Sequence, residues 1–285
     1  MTPVTRFLPL ITAWLVLVAA PARAQSFHFV VLGDRTGEAQ PGVYEEAWKE
    51  AAGEDPALVV TVGDTIEGLN DATAGREWRD IQHMLEPYRR IPFYPAPGNH
   101  DIWSPASEKV FRQYAGHDPH YSFDYQQAHF TILDNSRSDQ LSPDELAFLE
   151  KDLQTHAAQP VKFIVSHRPS WLINVVLRNR GFALHQLAKK YGVQIVIAGH
   201  VHEMLHVDLE GIRYISMPSA GGHLRGTHQY EDGWFFGYAV VEVSGREVKF
   251  QIKELKPPHG RGRITSPDDW SASGLAKRAT QQVLP

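Results

Sequence analysis

The chain is predicted to be an α/β protein, and three observations carry the prediction. Apolar runs of strand length alternate with helical patterns, as in a sheet with crossover helices. Several of those runs stop at a small polar cluster, Gly-Asp, His or Gly-His, where a buried strand reaches the surface. Hydrophobic residues make up 42% and aromatics 11% of 285 residues, ample for the core of one large domain or two small ones.

Residues 1–24 are read as a signal peptide ahead of the fold. Arg6 gives a weakly positive start, Phe7–Ala20 is an apolar run of 14 residues, and Ala22-Arg23-Ala24 fits an A-x-A cleavage site. The run is short of the roughly 20 residues that span a bilayer core, so export with cleavage is expected and a retained anchor is the alternative. No stable membrane span is expected after cleavage. The localisation expected is periplasmic or secreted. Cysteine is absent, so stability has to come from the core and from bound metals. The formal charge of −5 becomes −7 without Arg6 and Arg23, which argues against nucleic acid as a partner.

Strands are expected at Phe27–Leu32, Leu58–Val62, Phe130–Leu133, Phe163–Ser166 and Ile195–Ala198, with a short or irregular one in the Pro-rich run Pro92–Pro97. Helical patterns fall at Val43–Ala52, Arg76–Leu85, Pro143–Thr155 and Phe182–Tyr191. The third starts with Ser142 as cap, Pro143 at the first position and Glu145 placed to close a capping box. The fourth ends in Lys189-Lys190-Tyr191-Gly192, cations in the last turn and a Gly stop. Further on, His206–Leu209, Arg213–Met217, Tyr238–Val243 and Val248–Lys253 read as strands joined in pairs at Glu210-Gly211 and Ser244-Gly245, the last two as antiparallel neighbours, so the C-terminal part is expected to supply strands to a second sheet. The folded domain is bounded at 25–255. Residues 256–285 lack periodicity and are expected to form an extended or poorly ordered tail.

Five clusters carry the chemistry: Gly33-Asp34, Gly63-Asp64, Gly98-Asn99-His100-Asp101, His167 and Gly199-His200-Val201-His202. Any one alone has an ordinary reading as a turn or a satisfied surface histidine. Together, most at strand ends of one α/β sheet, they converge on a single crevice. Carboxylate, amide and imidazole are the donors that divalent transition metals take, so a two-metal hydrolytic site is expected.

In these motifs the chain resembles the calcineurin-like metallophosphoesterase superfamily over roughly Phe27–Leu255. The family pattern of Asp-x-His, Gly-Asp-x-x-(Asp/Asn), Gly-Asn-His-(Asp/Glu), His and Gly-His-x-His is met here by Asp34-Arg35-Thr36, Gly63-Asp64-Thr65-Ile66-Glu67, Gly98-Asn99-His100-Asp101, His167 and Gly199-His200-Val201-His202. The resemblance implies a four-layer α/β/β/α sandwich of two mixed sheets with two metal ions (Mn, Fe or Zn) at the sheet edge. It implies Asp64 as bridging ligand, Asn99, His167 and His200 on one ion, and Asp34 and His202 on the other. Two cations sharing a carboxylate lie about 3.5–4 Å apart, close enough to activate one water as nucleophile. His100 is then the candidate general acid, with Asp101 orienting its ring and raising its pKa.

The pattern departs at Thr36, where the family places a metal-binding His. Purple acid phosphatases lack that His too and carry a ligand Tyr where this chain has Glu67. Glu67 is therefore a candidate substitute ligand, making a harder site suited to Mn or Fe, with backbone capping as its alternative role; no tyrosinate colour is expected. For substrate contacts, Arg35 and Arg168 flank ligands and could fork onto phosphate, and His223 lies in the Gly- and His-rich loop Gly221–Tyr230. Trp171, Trp234 and Phe235 are stacking candidates, with core packing as the commoner fate. The expectation is an exported phosphoesterase acting on phosphomonoesters or small phosphodiesters. The alternative, fed by Thr36, is a degenerate relative that binds a ligand without turnover.

Overall fold

A computed structural model describes residues 26–271 and residue 274; the expected signal at 1–24 and the last residues of the expected tail lie outside the described residues. Strand β1 (Ser26–Leu32) shows how the sequence makes layers. Successive side chains point to opposite faces, so Phe27, Phe29 and Val31 join one core cluster and Val30 and Leu32 another. A strand buried on both faces must lie between two other layers.

After β1 the chain runs through α1 (Val43–Ala52), β2 (Val59–Thr61), α2 (Asp71–Leu85), β3 (Phe93–Pro95) and α3 (Pro105–Ala115). It continues with β4 (Tyr121–Tyr125), β5 (Ala128–Ile132), α4 (Pro143–Thr155), β6 (Val161–Val165), α5 (Leu172–Val176), α6 (Ala183–Tyr191) and β7 (Ile195–Ala198). The remaining strands are β8 (Leu205–Leu209), β9 (Ile212–Ser216), β10 (Gly237–Ser244), β11 (Glu247–Glu254) and β12 (Ile264–Thr265). They form two mixed six-stranded sheets, ordered β12-β11-β10-β1-β2-β3 and β4-β5-β6-β7-β9-β8.

The main core lies between the sheets, with Phe29, Val60, Val241 and Ile252 from the first meeting Phe130, Phe163, Ile197 and Ile215 from the second. The Phe29 ring meets Phe130 and Phe163 edge-on at 5.1 and 5.2 Å, a favoured aromatic geometry. Tyr44, Ala47, Trp48 and Ala51 of α1 cover the outer face of the first sheet. Leu149 and Leu153 of α4 and Leu184 and Ala188 of α6 cover the second. This is the α/β/β/α sandwich.

Three expectations need correction. The late strands divide between the sheets: β8 and β9 extend the second as expected, while β10 and β11, antiparallel neighbours as expected, join the first with β12 through antiparallel pairing of β10 with β1. The domain does not stop at 255, because β12 pairs with β11 and Trp270 is buried against Phe235 and Tyr230. The capping box at Ser142 is half made. The Ser142 side chain accepts from the Glu145 N–H at 3.1 Å, but the Glu145 carboxylate turns to the Asp134 N–H at 3.0 Å and to His120. No helix among the described residues is long and apolar enough to cross a membrane.

Candidate metal centre

The turns after β1, β2, β3, β6 and β7 meet at one end of the sandwich, and close backbone approach is what lets them meet. A Cβ on Gly98 would lie 2.2 Å from both the backbone N and Oδ1 of Asp64, and one on Gly199 would lie 2.5 Å from Asp34 Oδ2. Only glycine admits the neighbouring carboxylates at those two turns. Asp64, His200 and His202 are held in the left-handed region, with φ of 55°, 69° and 59°. Such conformations cost roughly 1–3 kcal/mol each in non-Gly residues and persist where surrounding structure imposes them, commonly at functional sites.

The side chains form two groups that share Asp64: Asp64 with His167 and His200, and Asp34 with Asp64 and His202, each with donor atoms within 4.8 Å of one another. Asn99 Oδ1 joins the first group, 3.0 Å from His167 Nε2, which lies 3.1 Å from His200 Nδ1 and 3.3 Å from Asp64 Oδ1. Hydrogen bonds on the far side of two rings set their tautomers. His202 Nδ1 donates to the His223 carbonyl at 2.7 Å and His167 Nδ1 donates to the Val62 carbonyl at 2.9 Å. Each ring then offers its Nε2 lone pair to the cluster, the arrangement that metal-binding histidines use.

These residues fit metal ions. Asp34, Asp64, His167 and His202 are almost wholly buried, and two buried carboxylates need cations beside them. Asp34 Oδ2 and His202 Nε2 are buried without any hydrogen-bond partner, although their ring and carboxylate approach to 3.7 Å. A cation at that point satisfies both. The Asp34, Asp64 and His202 group offers three protein donors and so has room for a further ligand, as catalytic rather than structural sites do.

The electrostatics agree. Burial alone would lower the His167 pKa, but the carboxylates of Asp64 and Asp34 outweigh it and lift it to about 9. Burial works against the Asp64 carboxylate, yet His167 and His100 hold it below the usual range. Asp34 is pushed up by burial despite His202 and His167. Burial, then the charge on His167 and Arg168, pushes His200 down to about 3. A proton on His167 stands where a metal ion would otherwise satisfy the carboxylates, so ion uptake releases protons.

Other expected site residues are placed differently. Asp101 does not touch the His100 ring. It is fully buried and accepts from the backbone N–H of Gly98 (2.8 Å), Thr65 (2.9 Å) and Ile66 (3.2 Å), tying two turns together. Burial and the Asp64 charge push it up to about 6. The His100 ring is fixed instead by Nδ1 donating to the Glu67 carbonyl at 2.6 Å. Glu67 is exposed, its carboxylate accepts from the Ala39 N–H at 3.3 Å, and it lies outside the two donor groups around Asp64.

Arg35 is half-buried, lies over the Tyr44 ring and reaches the Thr65 carbonyl at 3.4 Å. Arg168 pairs with Asp139 at 2.5 Å and lies 3.4 Å from His200 Nε2, on the far side of that ring. Trp171, Trp234 and Phe235 are buried in packing. His223 faces a cleft of about 620 Å³ with His100, Arg225, Glu38, Glu67 and Leu69. Arg225 was not expected. It is exposed on the cleft rim and close enough to His200 to lower that ring's pKa. Its signal in the sequence is a cation inside the Gly-rich loop that also holds His223.

Strand-end aspartates and histidines gathered at one edge of two face-packed sheets define a metallophosphoesterase. The family model described as calcineurin-like phosphoesterase matches residues 27–204, and the chain belongs to that family, whose members typically bind a dimetal centre. It is 30% identical over 204 residues to the 3',5'-cyclic adenosine monophosphate phosphodiesterase CpdA of Escherichia coli K12, covering 67% of this chain and 70% of that one. It is 25% identical over 171 residues to the 3',5'-cyclic-nucleotide phosphodiesterase alr5338 of Nostoc, covering 57% and 62%. Among solved structures, purple acid phosphatase PPD1 of yellow lupin superposes with a TM-score of 0.61 at 17% identity, over 89% of this chain and 56% of its own length. That likeness is one of fold, and the chain spans little more than half of the lupin protein.

Proposed function

We propose that this chain is an exported, metal-dependent phosphoesterase acting on small phosphate esters, with a cyclic-nucleotide type of phosphodiester as its preferred substrate class. The observation that carries the reading is the pair of donor groups sharing Asp64 beside a cleft that holds His100, His223 and Arg225. Its volume of about 620 Å³ falls within the roughly 300–1,000 Å³ typical of small-ligand sites. Two relatives carry cyclic-nucleotide phosphodiesterase names, which favours a diester over a monoester.

Two cations held by these residues would supply Lewis-acid charge for the phosphoryl oxygens and a bound water of lowered pKa. Asp64, Asn99, His167 and His200 would hold one ion, and Asp34, Asp64 and His202 the other. His100 acts as general acid. With Nδ1–H committed to the Glu67 carbonyl, a protonated ring has only Nε2–H left to give, and the leaving alkoxide takes it. The ring returns to neutral without losing its anchor. Arg225 and His223 place positive charge at the cleft rim for the non-bridging oxygens, while Glu38 and Glu67 beside them disfavour long polyanions. Export rests on residues 1–24 and is tested by sequencing the N-terminus of protein from the periplasm or medium; the expected first residue is Gln25.

The direct test compares a bis-aryl phosphate, an aryl phosphate and 3',5'-cyclic AMP as substrates for purified mature protein. Steady turnover, faster on the diesters and lost with chelator or Asp64→Asn, is the expected result. A protein that retains its ions yet turns over none of the three is instead the ligand-binding relative that Thr36 suggests.

A further inference from the structure

We propose that Leu69 is the specificity contact for the organic group on the leaving oxygen, selecting groups with a flat apolar face, aryl or nucleoside, over small alkyl ones. The inference deepens the phosphoesterase reading and rests on it. Leu69 lines the cleft that holds His100, His223 and Arg225, and it is 59% exposed. Among the described residues, Ile173, Leu177 and Ile264 are the other exposed large apolar side chains, and none of them lines this cleft. A single exposed leucine is ordinary on a protein surface; a leucine held with φ of 59° is not.

The turn around it is clamped on both sides. Gly68, with φ of 64°, donates its N–H to the Glu77 carboxylate of α2 at 2.8 Å. A Cβ on Gly68 would lie 1.8 Å from the His100 carbonyl oxygen and 2.9 Å from the Trp103 ring. On the other side, Asn70 caps α2 by accepting from the Ala72 N–H at 3.0 Å. Leu69 is fixed between two anchored neighbours, in a conformation that Gly or Asn would take at less cost. Strain of this kind persists where the surroundings impose it, and it gathers at ligand contacts.

The clamp also sets what Leu69 faces. His100 Nδ1 donates to the Glu67 carbonyl at 2.6 Å, so the proton donor and Leu69 are both tied to the short stretch from Glu67 to Leu69. A leaving oxygen within reach of His100 carries its organic group into the same cleft. Glu38, Glu67, His223 and Arg225 offer that group charge and hydrogen bonds, and among the described lining residues Leu69 alone offers an apolar side chain. A small-ligand site pairs a few polar groups that orient the ligand with apolar surface that holds its body. Leu69 supplies that surface on the His100 side.

Equilibrium binding of two non-hydrolysable phosphonates tests this apart from turnover. Mature protein loaded with manganese is titrated with phenylphosphonate and with methylphosphonate by calorimetry, beside Leu69→Asn, Leu69→Met and Ile173→Ala. The parent is expected to bind the phenyl ligand about tenfold more tightly, the low end for an apolar contact in a pocket. Leu69→Asn is expected to bring the two affinities within about twofold of each other, and Leu69→Met to keep the parent's preference. Ile173 lines a separate pocket beside Arg168, so Ile173→Ala is expected to keep it too. Asn accepts the left-handed backbone, so Leu69→Asn is expected to melt no lower than the parent, which separates recognition from packing. An unchanged ratio in Leu69→Asn, an equal loss in Ile173→Ala, or a parent with no phenyl preference overturns the assignment. A parent that prefers the phenyl ligand through Leu69 yet hydrolyses no ester overturns the hydrolase reading alone; one that binds neither phosphonate overturns both.

Discussion

Asp101 accepts three backbone N–H groups from two turns, and the adjacent His100 is anchored elsewhere. The two residues therefore respond differently to substitution. Asp101→Asn leaves buried N–H groups poorly satisfied and is expected to cost about 2–3 kcal/mol of unfolding free energy, read by urea denaturation. An unchanged midpoint restores the orienting role that adjacency suggests. His100→Ala is expected to lower kcat by about 10²- to 10⁴-fold while metal content stays the same; a fall in bound metal contradicts a proton-donor role. The convergence of Asp34, Asp64, His167, His200 and His202 was legible because each lies just past an apolar run at a strand end, whereas Asn99 follows a Pro-rich run. The backbone contacts of Asp101 and Glu67 were not legible, because a carboxylate beside candidate ligands in sequence can face backbone amides in space. Arg225 was hidden for the opposite reason: it lies outside every motif and reaches the cleft only through the path of its loop.

At the scale of elements, the site depends on two turns packed together without side chains between them. A Cβ on Gly98 meets Asp64 backbone and carboxylate at 2.2 Å, so Gly98→Ala is expected to abolish metal binding and hydrolysis together. The check is metal content with circular dichroism; full metal occupancy in a folded Gly98→Ala protein contradicts this account of the turn. Helices α1 and α4 were legible to the residue, since amphipathic spacing and capping are local. Helix α2 begins earlier than its apolar pattern, at Asp71, because Asn70 caps it through the Ala72 N–H. Helix α3 was overlooked although Ser104-Pro105 starts it and Gly116 ends it; few apolar residues mark its buried face. Strand β4 alternates as Tyr-Ser-Phe-Asp-Tyr at a half-buried sheet edge, a weak pattern beside the fully buried runs.

Across the whole molecule, the sheet partition was the least legible feature. The pairing of β1 with β10 joins residues about 200 positions apart, and hydrophobic patterning specifies which face is buried but not which strand lies alongside. The same long-range closure draws in residues read as tail. Trp270 is 3% exposed and its Nε1 donates to Thr265 Oγ1 at 2.9 Å, so Trp270→Ala is expected to cost about 3–5 kcal/mol. A chain ending at residue 255 should also show a lower denaturation midpoint than the full chain. An unchanged midpoint for both would return residues beyond 255 to the status of an appendage. The sandwich serves the chemistry by bringing turns from both sheets to one edge, where Asp34, Asp64 and Asn99 from the first meet His167, His200 and His202 from the second. Anomalous diffraction from crystals grown with manganese tests that convergence most directly. Two peaks about 3.5–4 Å apart with Asp64 between them are predicted; a single peak, or a pair not bridged by Asp64, contradicts the dinuclear centre.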